Sequence, residues 1–358
     1  MKISSTQLNQ YRRQIVRKRI AILGSALLMV VVCLYSIMKG SIDLSLGEVL
    51  ASLIGRGTRQ SNLVILNIRL PRVVTTVLVG AALAVSGAVM QCVLQNPLAS
   101  ASTLGVSQGA AFGAALGIVV FGGGVLSSGS ANVAVKIDHP YIVTFCAFFF
   151  GSLSTVVILL LSRLRRSLGP GGLVLAGVAL SSLFTGGSTL LQYFADETQL
   201  GAVVFWTFGN LGNTSWSEIT ILALVFAAAF LYFLCNRWNY NAMSGGADTA
   251  KSLGVNARAV MLISMSICSL TAAVSVSFVG IISFIGLIAP HIMRKFVGDD
   301  YRYLIPASAF AGGLILILAD TFGRLIIPPV VLPVGAITSF LGAPVFLALL
   351  LKGVGKRD

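Results

Sequence analysis

From Val73 to Leu94 the chain runs without a single charged residue, and comparable runs recur along its length. A run of this kind fixes the class of fold before any motif is considered. A helix of roughly 20 apolar residues crosses a bilayer, and inside lipid the backbone must bond within the helix itself. Further uncharged runs cover residues 20–38, 141–161, 172–194, 219–235, 259–280 and 330–351. Less regular ones, interrupted by Gly or Pro, cover 103–125, 281–293 and 303–319. The expectation is an all-α polytopic membrane protein with about ten transmembrane helices. It has a basic tail over residues 1–19, one transmembrane domain over 20–352 and a short C-terminal tail over 353–358. Composition agrees, since 56% of the 358 residues are hydrophobic and only 10% are charged, too few charges to clothe a soluble globule.

An even number of crossings leaves both ends on one side, and basic residues mark the cytoplasmic side. Lys2, Arg12, Arg13, Arg17, Lys18 and Arg19 precede the first run, and Lys352, Lys356 and Arg357 follow the last. Alternation from a cytoplasmic N-terminus then places Arg163, Arg165, Arg166, Arg237, Lys251, Arg258, Arg294, Lys295 and Arg302 inside. Only Lys39, Arg56, Arg59, Arg69, Arg72, Lys136 and Arg324 are left outside. Of the acids, only Asp248, Asp299, Asp300 and Asp358 fall inside, so the net charge of +14 reflects topology. A basic chain of this composition calls for a lipid bilayer and no nucleic acid. The first run is too long for a signal-peptide core and no small-x-small cleavage site follows it, so it reads as a retained span.

Little in the sequence supports bond chemistry. There are two histidines, His139 beside Pro140 and His291 in APHIMRK, with no second His or Cys at ligand spacing and no HExxH. Neither a metal site nor a cofactor is expected. Cys33, Cys92, Cys146, Cys235 and Cys268 lie in or at the ends of apolar runs without CxxC spacing and read as packing residues. GGADTAKS at 245–252 imitates GxxxxGKS, but Ala250 stands where the second Gly is needed for backbone to close on phosphate, and no strand pattern precedes it. It reads as a decoy. An ion-coupled transporter keeps an ionisable group in mid-membrane. The candidates are Glu218, at the outer end of its run, and Asp320, four residues before Arg324 and so placed to pair with it on a helix. Gly109, Gly113 and Gly117 recur every four residues, and Gly80 and Gly87 bracket AALAVS; both patterns predict faces where helices approach closely.

The stretch GAALAVSGAVMQCVLQNPLASASTLGVSQGA at 80–110 resembles the permease subunits of binding-protein-dependent ABC importers for iron-siderophores, haem and vitamin B12, the FecCD-type or type II importer family. Colinear matches follow in RLPR (69–72), LVLAGVALSSLF (173–184), FWTFGNLGNTSW (205–216), GADTAKSLGVNAR (246–258), GIISFIGLIAPHIMR (280–294), ADTFGR (319–324) and LPVGAITSFLGAPVFLALLLK (332–352). They cover nearly everything after residue 60.

The resemblance implies the type II permease fold with ten spans and a pair of permease subunits with the substrate path between them. It also implies two cytoplasmic ATPase subunits and an extracytoplasmic solute-binding protein. The chain would then catalyse nothing and would carry a metal chelate, a ferric siderophore first and haem or vitamin B12 as alternatives. An ion-coupled secondary transporter and a membrane-embedded enzyme are the competing classes. The segment 245–258 would seat an ATPase through Ala247, Asp248, Ala250, Lys251, Leu253 and Gly254. Asp248 is placed to cap a short helix, and Gly254 to stop it after Leu253. The turn at Asn96 and Leu98, with Pro170 and Gly171 before the fifth span, would form the cytoplasmic gate. Arg69, Arg72 and Arg324, on the side that positive-inside statistics disfavour, would dock the binding protein, with Asp320 as the structural partner of Arg324.

Overall fold

The computed structural model describes residues 5–40, 43–122, 124–126, 135–137, 140–165 and 169–354; His139 and Arg166 lie outside them. Helix α1 (Ser5–Met38) carries the basic tail into the first span as one rod. Short helices α2 (Leu46–Leu53) and α3 (Arg59–Val64) follow, and α3 runs through a π-helical turn, Ile65–Arg69, into α4 (Leu70–Val93). A 3₁₀ turn at Ser102–Leu104 leads to α5 (Val106–Val119), and then β1 (Gly124–Leu126) pairs antiparallel with β2 (Val135–Ile137). The remainder is helical: α6 (Pro140–Leu164), α7 (Pro170–Phe194), α8 (Glu197–Thr207), α9 (Trp216–Cys235), α10 (Arg237–Ser244), α11 (Ala247–Ser252), α12 (Ala257–Val279), α13 (Ile285–Val297), α14 (Tyr301–Leu325) and α15 (Val334–Val354).

Among the described residues, seven helices are long and apolar enough to cross a membrane: α1, the unit from Arg59 to Val93, α6, α7, α9, α12 and α14. Two shorter apolar helices, α5 and the Val334–Ala348 part of α15, stand beside them, and so does α13, which follows the apolar stretch after α12. The end of the bundle that carries the basic start of α1 is here the tail end, and the junction of α1 with α2 lies at the far end. Five helices depart from the sequence expectation. Helices α2, α8 and α10 occupy stretches too short or too polar to read as spans. Helix α13 starts later than its apolar run, because Gly280 at φ +77° and Phe284 at φ +65° hold the chain out of helical geometry until Ile285. Helix α14 passes unbroken through Pro306.

Helix α4 is the axis. It packs against α9, α12, α13 and α14, and from Val79 to Val93 every residue except its glycines, Ser86 and Gln91 is apolar and buried. In lipid no hydrophobic force drives helix against helix, so close backbone approach supplies the cohesion. A Cβ on Gly87 would fall on the backbone of Gly286 in α13, and one on Gly80 on the backbone of Gly312 in α14. The Gly109, Gly113 and Gly117 stripe of α5 lies in the same way on α6, at Phe150, Cys146 and Val143. The hydroxyls in these helices bond mostly to carbonyls of their own preceding turn, as Thr76 does to Arg72 at 2.6 Å and Thr321 to Ile317 at 2.7 Å. All five cysteines are free, and Cys92, Cys146 and Cys268 are buried.

Candidate functional sites at the two ends of the bundle

At the far end the arginines singled out by the sequence turn inward. Asp320, on α14 and only 2% exposed, accepts from Arg72 Nε at 3.0 Å and Nη2 at 2.8 Å through Oδ1, and from Arg324 Nε at 3.1 Å through Oδ2. Arg324 also donates Nη2 to the Ser36 carbonyl at 3.2 Å and to its hydroxyl at 2.5 Å, and Nη1 to the Lys39 carbonyl at 3.3 Å. Arg69, in the π turn, donates Nη1 to the carbonyls of Ile37 at 2.7 Å and Met38 at 3.0 Å. Gly40 lies against its guanidinium, where a side chain would collide. The three arginines thus tie the C-terminus of α1 and the start of α4 to the end of α14. Cations are favourable at the C-terminal carbonyls of a helix, and here α1 receives two. The pairing of Asp320 with Arg324 matches the sequence expectation. The bond from Arg72, across 248 residues, was not anticipated. Its signal was faint: Asp320 is one of seven acids that the topology sent to the same side as the three arginines.

Glu218, the other acid weighed for ion coupling, forms a capping box at the start of α9, accepting from Ser215 N at 2.7 Å and Oγ at 2.9 Å. Both acids therefore have structural duties, which removes the observation that favoured an ion-coupled carrier. Outside the membrane-spanning part, the Lys39 ammonium, bonded to Asp43, holds that carboxyl below its ordinary range.

At the tail end, GGADTAKS is not a phosphate loop. Gly245 ends α10, Gly246 at φ +104° reverses the chain, and residues 247–252 are the helix α11. The expected cap is corrected: Gly246 occupies the N-cap position without a side-chain bond, and Asp248 sits in the first turn, fully exposed, 3.7 Å from Lys251. Gly245 and Gly246 do not follow a span directly, since α9 ends at Cys235 and α10 intervenes. Gly254 at φ +79° does stop the chain after Leu253. Ala250 is buried against the bundle, while Leu253 is 66% exposed.

The turn after α4 follows the sequence reading. Asn96 Oδ1 accepts from Leu98 N at 2.9 Å, an Asx turn that supports the break at Pro97, and Leu98 is 41% exposed. Pro170 and Gly171 open α7, exposed to solvent or lipid. No hydrogen bond joins them to Asn96 or Leu98 among the described residues. What the sequence did not reveal is how the turn is fastened. Gln95, at φ +49°, donates its amide to the Met243 carbonyl of α10, and Cys92 Sγ donates to the Tyr240 carbonyl at 3.3 Å. Arg294 of α13 donates to Gln91 Oε1 at 2.5 Å and pairs with Asp299 at 3.2 Å. Asn241 of α10 donates to Asp300 at 3.0 Å and accepts from Tyr301 N at 2.8 Å. Helix α10, which leads directly into α11, is therefore bonded both to the end of α4 and to the start of α14. Burial pushes the Asp300 carboxyl up, but the Arg302 side chain, Asn241 and the Arg302 backbone N–H outweigh it and bring it down to about 2. No cluster able to hold a metal ion occurs among the described residues.

The chain matches the family model of the FecCD transport family over residues 27–352. It is 53% identical over 320 residues to a protein of Methanocaldococcus jannaschii assigned as an ABC transporter permease, MJ0087, covering 89% of this chain and 90% of that one. It is 35% identical over 340 residues to the Fe(3+)-citrate import system permease YfmE of Bacillus subtilis, covering 93% and 95%. A solved structure of an ABC transporter assigned to the metal-chelate type, in an inward-facing conformation, superposes with a TM-score of 0.79 at 30% identity, covering 92% of this chain and 98% of that one. The helical bundle, its central α4 and the extent of these matches lead to one assignment: the chain belongs to the FecCD transport family of ABC transporter permeases.

Proposed function

We propose that this chain forms, with a second permease subunit, the translocation path of an ATP-driven importer for a metal chelate, a ferric siderophore by preference. The observation that carries the substrate class is likeness along almost the whole chain both to an iron-citrate permease and to a transporter of the metal-chelate type. Helix α7 supports the path. Its exposed face runs Gly171, Leu175, Val178, Ser182, Thr185 and Thr189, apolar near the tail end and hydroxylic beyond it, and is open to the outside of this subunit. A run of three hydroxylic residues on such a face suits a path between two subunits. The basic tail end faces the cytoplasm in this reading, and separate subunits hydrolyse the ATP.

In the same reading α11 seats an ATPase. Leu253 offers an exposed apolar contact beside Lys251 and Asp248, Ala250 packs the helix on the bundle and Gly254 ends it. A movement of α11 passes through α10 to Gln95 and so to the turn at Asn96 and Leu98, and the ATPase thereby biases the path between its two open states. Asn96 and Leu98, with Pro170 and Gly171, act as the inner gate. A solute-binding protein docks at the far end. There three arginines against Asp320 leave a net positive field, and Arg69, Arg72 and Arg324 attract an acidic partner through that field while keeping their internal bonds.

The test is uptake of a ⁵⁵Fe-siderophore into proteoliposomes holding the permease, its ATPase and its binding protein. Uptake that needs ATP and survives collapse of ion gradients is expected. Uptake driven by a gradient without ATP would overturn the proposal.

A further inference from the structure

At the tail end a groove of about 290 Å³ opens between α6 and α12. Val156, Leu159 and Leu160 line it from α6, and Leu262 and Ile263 from α12, with Arg163 at its mouth. The Ser266 hydroxyl on its wall already donates to the Leu262 carbonyl at 2.8 Å, so the wall offers no open donor. Beside the mouth, Arg258 donates Nη2 to the Ser162 carbonyl at 3.0 Å, which holds a second guanidinium one residue from Arg163. Arg165 follows, exposed like the other two. None of the three makes an ion pair among the described residues. Two guanidiniums without an ion pair among the described residues at the head of an apolar channel, with Arg165 at the same helix end, are the complement of an amphiphile with an anionic head.

We propose that this groove binds an anionic phospholipid. Its phosphate sits among Arg163, Arg165 and Arg258, and one acyl chain lies along Leu160, Leu159 and Val156. The dimensions fit. Residues 156 to 163 are two turns of one helix face, roughly 10 Å at 1.5 Å per residue, which matches the upper part of a leaflet that is roughly 15 Å deep. The charge fits as well, since basic residues at this depth attract anionic headgroups and pair with phosphate bidentately. The inference rests on membrane embedding and on this groove, and stands whether or not the transport reading does.

The test uses the full chain in detergent, titrated with dioleoyl phosphatidylglycerol or dioleoyl phosphatidylcholine and read by native mass spectrometry. Inorganic phosphate serves as competitor. Two variants are compared: Arg163→Gln with Arg165→Gln, and Ile263→Trp, which fills the groove while leaving every arginine in place. The unaltered chain is expected to retain one phosphatidylglycerol in preference to phosphatidylcholine. Removing two basic residues should weaken that retention roughly thirtyfold, and Ile263→Trp should weaken it without changing the melting midpoint. Equal retention of both lipids overturns the proposal, as does phosphatidylglycerol binding unaffected by Ile263→Trp. Displacement of the lipid by millimolar phosphate also overturns it, because the site would then be one for a free anion. If the double arginine variant does not fold, the groove-filling variant decides alone.

Discussion

Replacing Asp320 with Asn keeps the shape of the side chain and removes the one anion of the far-end knot. Asp320 is 2% exposed, and its arginine partners keep only 17% and 11% of their side-chain surface, so water cannot take its place. Arg72 loses a bidentate charge-assisted pair and Arg324 a single one, while Arg69 keeps its bonds to the carbonyls of Ile37 and Met38. Breaking one buried pair by removing a partner costs about 3–5 kcal/mol. With two guanidiniums depending on one carboxylate, the upper part of that range applies, about 4–5 kcal/mol, a large share of the roughly 5–15 kcal/mol that holds a typical folded chain together. At roughly 2 °C per kcal/mol, the low end for large domains, the melting midpoint should fall by roughly 8–10 °C. A thiol-reactive fluorophore reads this directly, because Cys92, Cys146 and Cys268 are buried and become labelled on unfolding. Asp248→Asn is the control, since Asp248 is fully exposed and its loss should leave the midpoint in place. An Asp320→Asn midpoint within about 1 °C of the unaltered chain, against the 2 °C per kcal/mol used above, would refute the assignment of the knot as a structural tie.

Three further outcomes are expected. Leu253→Asp should leave the melting midpoint unchanged, because Leu253 is exposed, yet abolish co-purification of the ATPase by placing a carboxylate in the contact; normal co-purification would remove α11 from that role. Gly87→Ala should destabilise the bundle, its Cβ falling on the Gly286 backbone, whereas Gly24→Ala, with nothing within 4 Å, should be neutral or stabilising by up to about 1 kcal/mol; equal midpoints would contradict the α4–α13 approach. Asp300, depressed from 3.8 to about 2, contributes stability that is present above its unfolded value and lost as pH falls through the folded one. The midpoint difference between Asp300→Asn and the unaltered chain should therefore be constant near neutrality and shrink between about pH 4 and pH 2, and a pH-independent difference would discount the carboxylate.

The sequence alone determined the membrane class and the order of the long apolar helices, because a bilayer demands long uncharged helices and admits few alternatives. It also determined the breaks. Pro97, Gly254 and the glycine stripe of α5 act through local geometry that their residue types impose wherever they stand. The capping boxes at Ser45, Asp196 and Ser215 were equally local and could have marked α2, α8 and the start of α9. Only the tertiary structure decided what the isolated charges do. The sequence set Asp320 beside Arg324 on one helix face, but the bond to Arg72 needed the end of α14 to lie against the start of α4. Likewise Gln95 reads as a polar residue at a helix end until α10 folds beneath it and presents the Met243 carbonyl. Contacts of this kind join residues far apart in the chain, and their energy depends on burial and on geometry to within an ångström. Residue type and spacing carry information about the local backbone, while partnership between distant groups exists only once the helices are packed.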